Sequence, residues 1–209
     1  MARVAIIPDE CVRCRSRRLL CLLFIRGCGT ALYDAVMAPG AGERPLLFLD
    51  VDGTLLPFGL PPAQYPVFPG PMGEGVSPLL ARLDPGHGAR LLALPCDLVW
   101  ATAWEHEANE VVAPRLGLPE LPVVEFPPAE EDDFRAGLHF KTRALVGWAA
   151  GRPFAWVDDE ITGTDREWVR ARHLGSALLH CADPLHGLTE DDYTVLARWL
   201  RKAGSASPC

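Results

Sequence analysis

The sequence lacks an apolar run long enough to cross a membrane. Its best candidate, residues 19–25, stops at Arg26, whereas a transmembrane helix needs about 20 consecutive apolar residues. Arginines precede this run, but it is too short for a secretory signal, and no small-residue cleavage site directly follows it. We therefore expect a cytoplasmic protein that has no membrane partner.

Positive charge is scarce in most of the chain. Residues 1–44 carry seven arginines against four acidic residues, whereas the rest carries 13 basic and 23 acidic residues, a net charge of −10. Because such a body repels phosphate backbones, we exclude a general binder of long nucleic acids. Lysine is rarer still, since only Lys141 and Lys202 occur among twenty basic residues. Each lysine therefore marks a candidate position where arginine would not serve.

Apolar residues, by contrast, are abundant. With 209 residues, of which 49% are hydrophobic and 22% are charged, the chain can bury the core of one medium-sized domain. Residues 1–44 have no sustained helical or strand period and end in a loop rich in proline and glycine. We expect them to form a dispensable, poorly ordered extension before a folded domain over residues 45–209.

The extension contains four of the seven cysteines, namely Cys11, Cys14, Cys21 and Cys28. Two interpretations stay open for them. One is a four-thiolate zinc site, although such sites usually combine two closely spaced pairs, and the second pair here is seven residues apart. The other, which we favour, is a set of reduced thiols in a cytoplasmic protein.

From residue 45 onward, short apolar runs alternate with helical patterns. The apolar runs predict strands at residues 46–49, 97–101, 121–124, 154–157 and 177–180. Periodicity and capping signals predict helices at residues 78–83, 89–94, 104–116, 139–150, 164–173 and 189–202. This alternation predicts an α/β fold with a parallel five-stranded sheet and helices on both faces.

Local signals indicate where some of these elements begin. Thr164 and Glu167 match a capping box for the helix at residues 164–173, and a threonine and an aspartate at positions 189 and 192 match one for the last helix. Pro122 predicts an edge position for the third strand, because proline cannot donate a hydrogen bond to a neighbouring strand.

Polar residues follow three of the predicted strands. Asp50 and Asp52 follow the first, Thr102 follows the second, and Asp158 and Asp159 follow the fourth. Ligands of parallel sheets bind beyond the carboxyl ends of the strands, so we expect these side chains at one edge. Each residue alone could be a helix cap, but four converging carboxylates imply a cation. Their oxygens suit Mg²⁺.

These residues also carry a resemblance to a known family. Residues 46–54, LLFLDVDGT, resemble the first motif of the haloacid dehalogenase (HAD) superfamily, an apolar strand followed by Asp-x-Asp-Gly-Thr. Residues 99–102 resemble its second motif, Lys141 stands where the third supplies a lysine, and residues 156–159 resemble the fourth. The runs WATAWEHEAN and WVDDE are similar to HAD domains found in bacterial RNA-repair proteins.

The resemblance implies a phosphatase of Rossmann-like (HAD) fold, and the chemistry of the residue types agrees with it. Asp50 would be the nucleophile that accepts the phosphoryl group, and Asp52 would protonate the leaving group and later activate water. Thr102 would bind a phosphate oxygen through its hydroxyl group. Lys141, read otherwise as an ordinary surface lysine, would neutralise charge on the phosphoryl group.

The same resemblance implies a Mg²⁺ cofactor. The metal would be bound by the carboxylate of Asp50, the backbone carbonyl of Asp52 and the carboxylate of Asp158. Asp159 would be a second ligand or lie in the outer shell, and which of the two acids contacts the metal directly stays open.

Many HAD phosphatases carry a cap domain after the first motif or between the second and third. Residues 53–76 are too short and too rich in proline and glycine to build one, and residues 103–140 are filled by one predicted helix, one predicted strand and a loop. We therefore expect an open, capless site. The acidic residues 130–133 are interpreted as a solvated charge run rather than a ligand set.

Three functions stay open at this point. The first is a Mg²⁺-dependent phosphomonoesterase acting on a small phosphorylated molecule, which we favour. The second is a phosphatase of nucleic-acid ends or phosphoproteins. The third is a non-catalytic phosphate-binding protein, which is disfavoured because Asp50 and Asp52 are both present. The oligomeric state is not indicated by the sequence.

Overall fold

The computed structural model describes residues 44–68, 77–127 and 135–205. The predicted extension, apart from Arg44, lies outside these residues, and so do its four cysteines and the charge run at residues 130–133. Among the helices in the described ranges, none combines the length and the apolarity that a membrane crossing requires.

Four parallel strands form the sheet. They are β1 (Leu46–Leu49), β2 (Asp97–Trp100), β3 (Phe154–Asp158) and β4 (Ala177–Cys181). Their order is β2-β1-β3-β4, and every pairing is parallel. The apolar β1 is completely buried, as a strand with neighbours on both sides and helices on both faces requires.

The strand register places the predicted polar residues at the same edge of the sheet. Leu49, the last residue of β1, lies opposite Trp100 of β2 on one side and Val157 of β3 on the other. Asp50 directly follows Leu49, and Asp158 directly follows Val157, so the two acids lie side by side.

The third predicted strand, at residues 121–124, is not a strand in the structure, so the sheet has four strands rather than five. This segment makes one isolated parallel bridge, between Val123 and Trp100. The Trp100 N–H donates to the Pro122 carbonyl at 2.8 Å, and the Val124 N–H donates to the Trp100 carbonyl at 2.9 Å. Pro122 has no N–H for the next bond of the ladder, so pairing cannot extend in that direction. The segment does lie at the edge beside β2, as its proline predicts.

The helices are α1 (Gly86–Leu92), α2 (Ala113–Leu116), α3 (Thr142–Ala149), α4 (Gly163–Arg172) and α5 (Glu190–Ser205). Shorter 3₁₀ turns occupy Pro62–Gln64 and Pro78–Arg82. The helix predicted over residues 104–116 is instead a turn, a π-helical segment at Ala108–Val112 and the short α2. Pro114 lacks the N–H that a regular α-helical bond to residue 110 requires.

The start of α4 also differs from the prediction. Thr162, not Thr164, is the N-cap, and its hydroxyl accepts a bond from the Asp165 N–H at 3.3 Å. Asp165 Oδ2 accepts the Thr162 N–H at 2.8 Å, which completes the capping box. The buried Asp165 also accepts the Thr142 hydroxyl at 2.6 Å. A tertiary contact with α3 therefore selects Asp165 over Glu167. The last helix begins after residue 189, as predicted.

The core has two layers, one on each face of the sheet. Leu47 and Leu49 face a cluster that includes residues of α1, α2 and α5, while Leu46 and Phe48 face a cluster that includes residues of α3 and α4. Alternate side chains of a strand point to opposite faces, so β1 contributes to both clusters. The result is a three-layer α/β/α fold that agrees with the predicted class and differs in strand number.

Two helical glycines provide a test of this packing. A Cβ on Gly88 of α1 would lie 1.7 Å from the Leu116 carbonyl oxygen, whereas a Cβ on Gly147 of α3 would meet nothing within 4 Å. Gly88→Ala should lower the free energy of unfolding by about 1–3 kcal/mol, because the backbone must move. Gly147→Ala should raise it by about 0.5–1 kcal/mol. Urea unfolding measures both, and equal effects would contradict the close approach of α1 and α2.

Candidate active site

Three buried charged side chains meet at the carboxyl edge of the sheet. Asp50 directly follows β1, Asp158 is the last residue of β3, and Lys141 is the N-cap residue of α3. The lysine Nζ donates to Asp50 Oδ1 at 2.6 Å and to Asp158 Oδ2 at 2.7 Å. None of the three side chains is more than 7% exposed. The structure thus brings together a residue from each of three predicted motifs.

The electrostatics of this group favour a further cation. Burial raises the pKa of Asp50 to about 7, although the neighbouring Lys141 ammonium opposes that rise. Burial alone would lower the pKa of Lys141, but the carboxylates of Asp50 and Asp158 outweigh it and raise the pKa. Two carboxylates thus share one ammonium, which leaves an excess of negative charge in a buried place.

Asp158 is held rigidly by further hydrogen bonds. Its Oδ2 also accepts the Trp156 indole N–H at 3.2 Å, and its Oδ1 accepts the Glu160 backbone N–H at 3.0 Å. Hydrogen bonds of this kind offset the cost of burying a carboxylate. The side chain therefore has one defined position at the end of β3.

Asp159 completes a group of acids that could hold a metal ion. Oxygen atoms of Asp50, Asp158 and Asp159 all lie within 4.8 Å of one another. Burial, and then the charge of Asp158, raise the pKa of the half-buried Asp159. Carboxylate oxygens are hard ligands, and a magnesium ion bound by a few of them keeps its remaining waters. The residues present therefore fit the predicted Mg²⁺.

Gly53 explains how Asp159 can come so close to the turn after β1. A Cβ at this position would lie 2.3 Å from the Asp159 carboxyl carbon, and the backbone φ of +71° lies in the left-handed region. Both constraints favour glycine over other residue types. The glycine in the run Asp-Val-Asp-Gly-Thr therefore lets the turn pack directly against an acid that follows β3.

Asp52 is placed differently from the other three predicted acids. Its side chain is exposed, and its carboxylate is not part of the oxygen group described above. Its Oδ2 accepts the Trp104 indole N–H at 2.8 Å. Trp104 was missed by the sequence analysis, and the available signal was its position two residues after Thr102.

Thr102 is completely buried at the turn after β2. Its hydroxyl accepts the Trp104 backbone N–H at 3.3 Å, and its carbonyl accepts the Glu105 N–H at 3.1 Å. Thr102 is therefore a capping residue, as one interpretation of the sequence predicted, but it caps a turn that leads into the π-helical segment and not the start of an α-helix. No hydrogen bond joins Thr102 to the acids among the residues that the structure describes.

His139 is a second residue that the sequence analysis missed. Its Nδ1 accepts the Lys141 backbone N–H at 3.2 Å, and its Nε2 lies 3.2 Å from Glu160 Oε2. The ring also packs edge-on against Trp156, with 5.6 Å between the ring centroids. His139 therefore connects the segment that carries the lysine with the segment that follows β3.

A parallel α/β sheet with paired acids and a buried lysine at its carboxyl edge is the arrangement that the motifs of the HAD superfamily predict. A family model bears this out. The chain belongs to the family described as the HAD domain in Swiss Army Knife RNA repair proteins, whose model matches residues 46–193. A comparison with curated proteins and one with solved structures gave no match.

The two lysines of the chain allow a controlled test of the buried contact. Lys141→Arg should lower kcat/KM for p-nitrophenyl phosphate by about 10²-fold or more, because the larger guanidinium cannot replace a compact ammonium between two buried carboxylates. Lys202→Arg, at an exposed position in the last turn of α5, should have no effect. Steady-state kinetics and the melting temperature should be measured together. Equal kcat/KM in the two folded variants would show that the ammonium of Lys141 is not needed for catalysis.

Proposed function

We propose that the protein is a Mg²⁺-dependent phosphomonoesterase that acts through an aspartyl-phosphate on Asp50. The observation that carries this proposal is the buried contact in which one ammonium, on Lys141, binds both Asp50 and Asp158. A nucleophilic carboxylate must be ionised and fixed in position, and the lysine favours both conditions. Membership of a HAD family supports the same class of reaction.

The first half-reaction transfers the phosphoryl group to the protein. Lys141 contacts Oδ1 of Asp50, so the proposed attack uses Oδ2. A bond forms between this oxygen and phosphorus while the bond to the leaving group breaks. The leaving oxygen keeps the electron pair and takes a proton from Asp52. The hydroxyl of Thr102 and the ammonium of Lys141 contact the phosphoryl oxygens.

The second half-reaction returns the protein to its starting state. The carboxylate of Asp52 takes a proton from a water molecule, whose oxygen forms a bond to phosphorus. The bond between phosphorus and Asp50 then breaks, and inorganic phosphate leaves. Asp52 ends protonated and Asp50 ends as a carboxylate, so protons and electrons balance over the cycle.

The metal would be held by the carboxylates of Asp50, Asp158 and Asp159, together with the backbone carbonyl of Asp52. When bound, Mg²⁺ reduces the repulsion between the attacking carboxylate and the anionic phosphate. The proximity of the three carboxylates and their uncompensated negative charge support this assignment.

The substrate proposed first is a small phosphomonoester at an open, capless site. The described residues between β1 and β2 and between β2 and β3 form turns, short helices and two isolated bridges, which supports a site without a cap. The acidic balance of the chain disfavours a long nucleic acid.

A second candidate is the removal of a terminal phosphate from a nucleic acid. The family description, which refers to RNA repair proteins, favours it. A single terminal phosphate requires no long basic surface, so the acidic balance does not exclude it. Rates on phosphorylated metabolites, set beside rates on oligonucleotides with 3′- or 5′-phosphates, distinguish the two substrate classes.

The two aspartates after β1 should respond differently to the same substitution. Asp50→Asn should abolish hydrolysis of p-nitrophenyl phosphate, because an amide is a poor nucleophile. Asp52→Asn should lower kcat for an alkyl phosphate by about 10²–10⁴-fold, which is the usual contribution of general acid–base catalysis. Steady-state rates at saturating Mg²⁺ measure both. Wild-type turnover in Asp50→Asn would refute the aspartyl-phosphate mechanism.

The metal assignment predicts a distinct pattern of rescue. Activity should vanish with EDTA, return with Mg²⁺ and stay low with Ca²⁺, which prefers more ligands at longer distances. Asp158→Asn should raise the Mg²⁺ concentration for half-maximal rate by at least about 10-fold, because a loss of that size is usual even for residues that only support a ligand, and Asp159→Asn should raise it less. Titration of the rate with Mg²⁺ gives these values. Full activity in EDTA would contradict the assignment of a metal to this site.

A further inference from the structure

One aromatic residue connects the turns that follow β1 and β2. The Trp104 indole N–H donates to Asp52 Oδ2 at 2.8 Å, and the Trp104 backbone N–H donates to the Thr102 hydroxyl at 3.3 Å. The tryptophan is partly buried and packs against the hydrophobic cluster that contains Trp100. A residue anchored in the core therefore binds the exposed acid of the site.

This contact restrains a side chain that has little other support. Asp52 is exposed, and within the described ranges no second hydrogen bond reaches its carboxylate. An exposed carboxyl group without a fixed partner exchanges among rotamers. In most of them its proton does not point at the leaving oxygen of the substrate, so proton transfer is less efficient.

The chemical nature of the partner decides which oxygen of Asp52 is available. An indole N–H can donate but cannot accept, so it occupies Oδ2 as an acceptor. This contact favours the form of Asp52 whose proton lies on Oδ1, because the carbonyl oxygen of a carboxylic acid is the better acceptor. An indole is also uncharged, so it orients the carboxyl group without pairing it with a positive charge.

The turn around Trp104 fixes the direction of the indole. Thr102, at its start, is completely buried, and Glu105, directly after the tryptophan, has a φ of 48° in the left-handed region. A residue other than glycine keeps such a conformation only where the surroundings impose it. The backbone on both sides of Trp104 is therefore held in one arrangement.

We infer that Trp104 is a positioning residue that holds Asp52 so that its Oδ1 delivers the proton to the leaving group. This inference rests on the proposed function of Asp52 as the general acid. In the reaction, the bond between phosphorus and the leaving oxygen breaks, and the proton on Oδ1 moves to that oxygen. Trp104 keeps its own N–H throughout and exchanges no atom with the substrate.

A general acid matters in proportion to the basicity of the leaving group. An alkoxide is a strong base and leaves only with a proton, whereas p-nitrophenolate is stable enough to leave without one. The ratio kcat/KM reports the steps up to departure of the leaving group, before water enters the reaction. Loss of correct proton delivery therefore lowers kcat/KM for an alkyl phosphate and spares the aryl phosphate.

The experiment compares Trp104→Phe with Trp148→Phe on glycerol phosphate and on p-nitrophenyl phosphate. Phenylalanine keeps one aromatic ring and removes the N–H donor together with part of the ring volume, and Trp148→Phe removes the same atoms elsewhere in the fold. Trp148 is 39% exposed on α3, and its ring packs on Phe48, so it serves as the control. Trp104→Phe should lower kcat/KM for glycerol phosphate at least tenfold more than for p-nitrophenyl phosphate, and Trp148→Phe should not change that selectivity.

A double-mutant comparison tests whether the effect passes through Asp52. Asp52→Asn should shift the selectivity in the same direction, and adding Trp104→Phe to it should change the selectivity no further. An equal loss on both substrates, or an additive loss in the double variant, would show that Trp104 acts on folding or on substrate binding and would overturn the inference.

Two outcomes separate this inference from the function on which it rests. A wild-type protein inactive on both substrates would refute the proposal of a small-molecule phosphomonoesterase and, with it, the positioning role that rests on that proposal. An active wild type whose selectivity is unchanged by Trp104→Phe would refute the positioning role alone. If Trp104→Phe does not fold, the indole N–H resonance of Trp104 should still move in Asp52→Ala, and an unmoved resonance would refute the contact.

Discussion

The ion pairs of Lys141 with Asp50 and Asp158 are the interaction on which the site depends. Three charged groups with at most 7% exposure would be costly to bury unless each had a partner. A single ammonium meets this need, because it donates to the ends of β1 and β3 at the same time. Without the ammonium, the two negatively charged carboxylates would repel each other. The lysine therefore allows Asp50 and Asp158 to lie close together.

The parallel register of the sheet makes this arrangement possible. Because Leu49 lies opposite Val157, the residues that follow them emerge at the same level and on the same side. Helix α3 begins at the lysine, so the ammonium reaches over the sheet edge from one face. Gly53 then lets the turn after β1 lie directly against Asp159. The backbone geometry thus decides where each acid lies, and the close approach of the charged groups is a consequence of it.

The turn after β2 contributes in a different way. It contributes no acid to the group that could hold a metal ion, yet its tryptophan reaches Asp52, which follows β1. His139 plays a comparable part near the lysine, since it contacts both the Lys141 backbone and the Glu160 side chain. Neutral or weakly basic side chains therefore connect the segments that carry the charged ones, and they do so by hydrogen bonds with defined directions.

Several features followed from the sequence because they depend on neighbouring residues. The apolar run at residues 46–49 identified a buried central strand, and the alternation of strands and helices identified the α/β class. The acids after the strands, and the one lysine between the third and fourth predicted strands, marked the side chains that meet at the sheet edge. The spacing of apolar residues and the position of an acid after a strand involve residues that are close together in the chain. Both can therefore be recognised in a single sequence.

Other features were decided only by the tertiary structure. The acidic member of the α4 capping box is Asp165 because it also binds Thr142, 23 residues away, and a capping pattern alone could not distinguish it from Glu167. The contact of Trp104 with Asp52 joins residues 52 positions apart. Such contacts depend on strand register and turn direction, which bring distant side chains within 3 Å. Short-range patterns in the sequence carry no record of those distances, so the sequence by itself determined which residues are chemically capable, and the fold decided which of them touch.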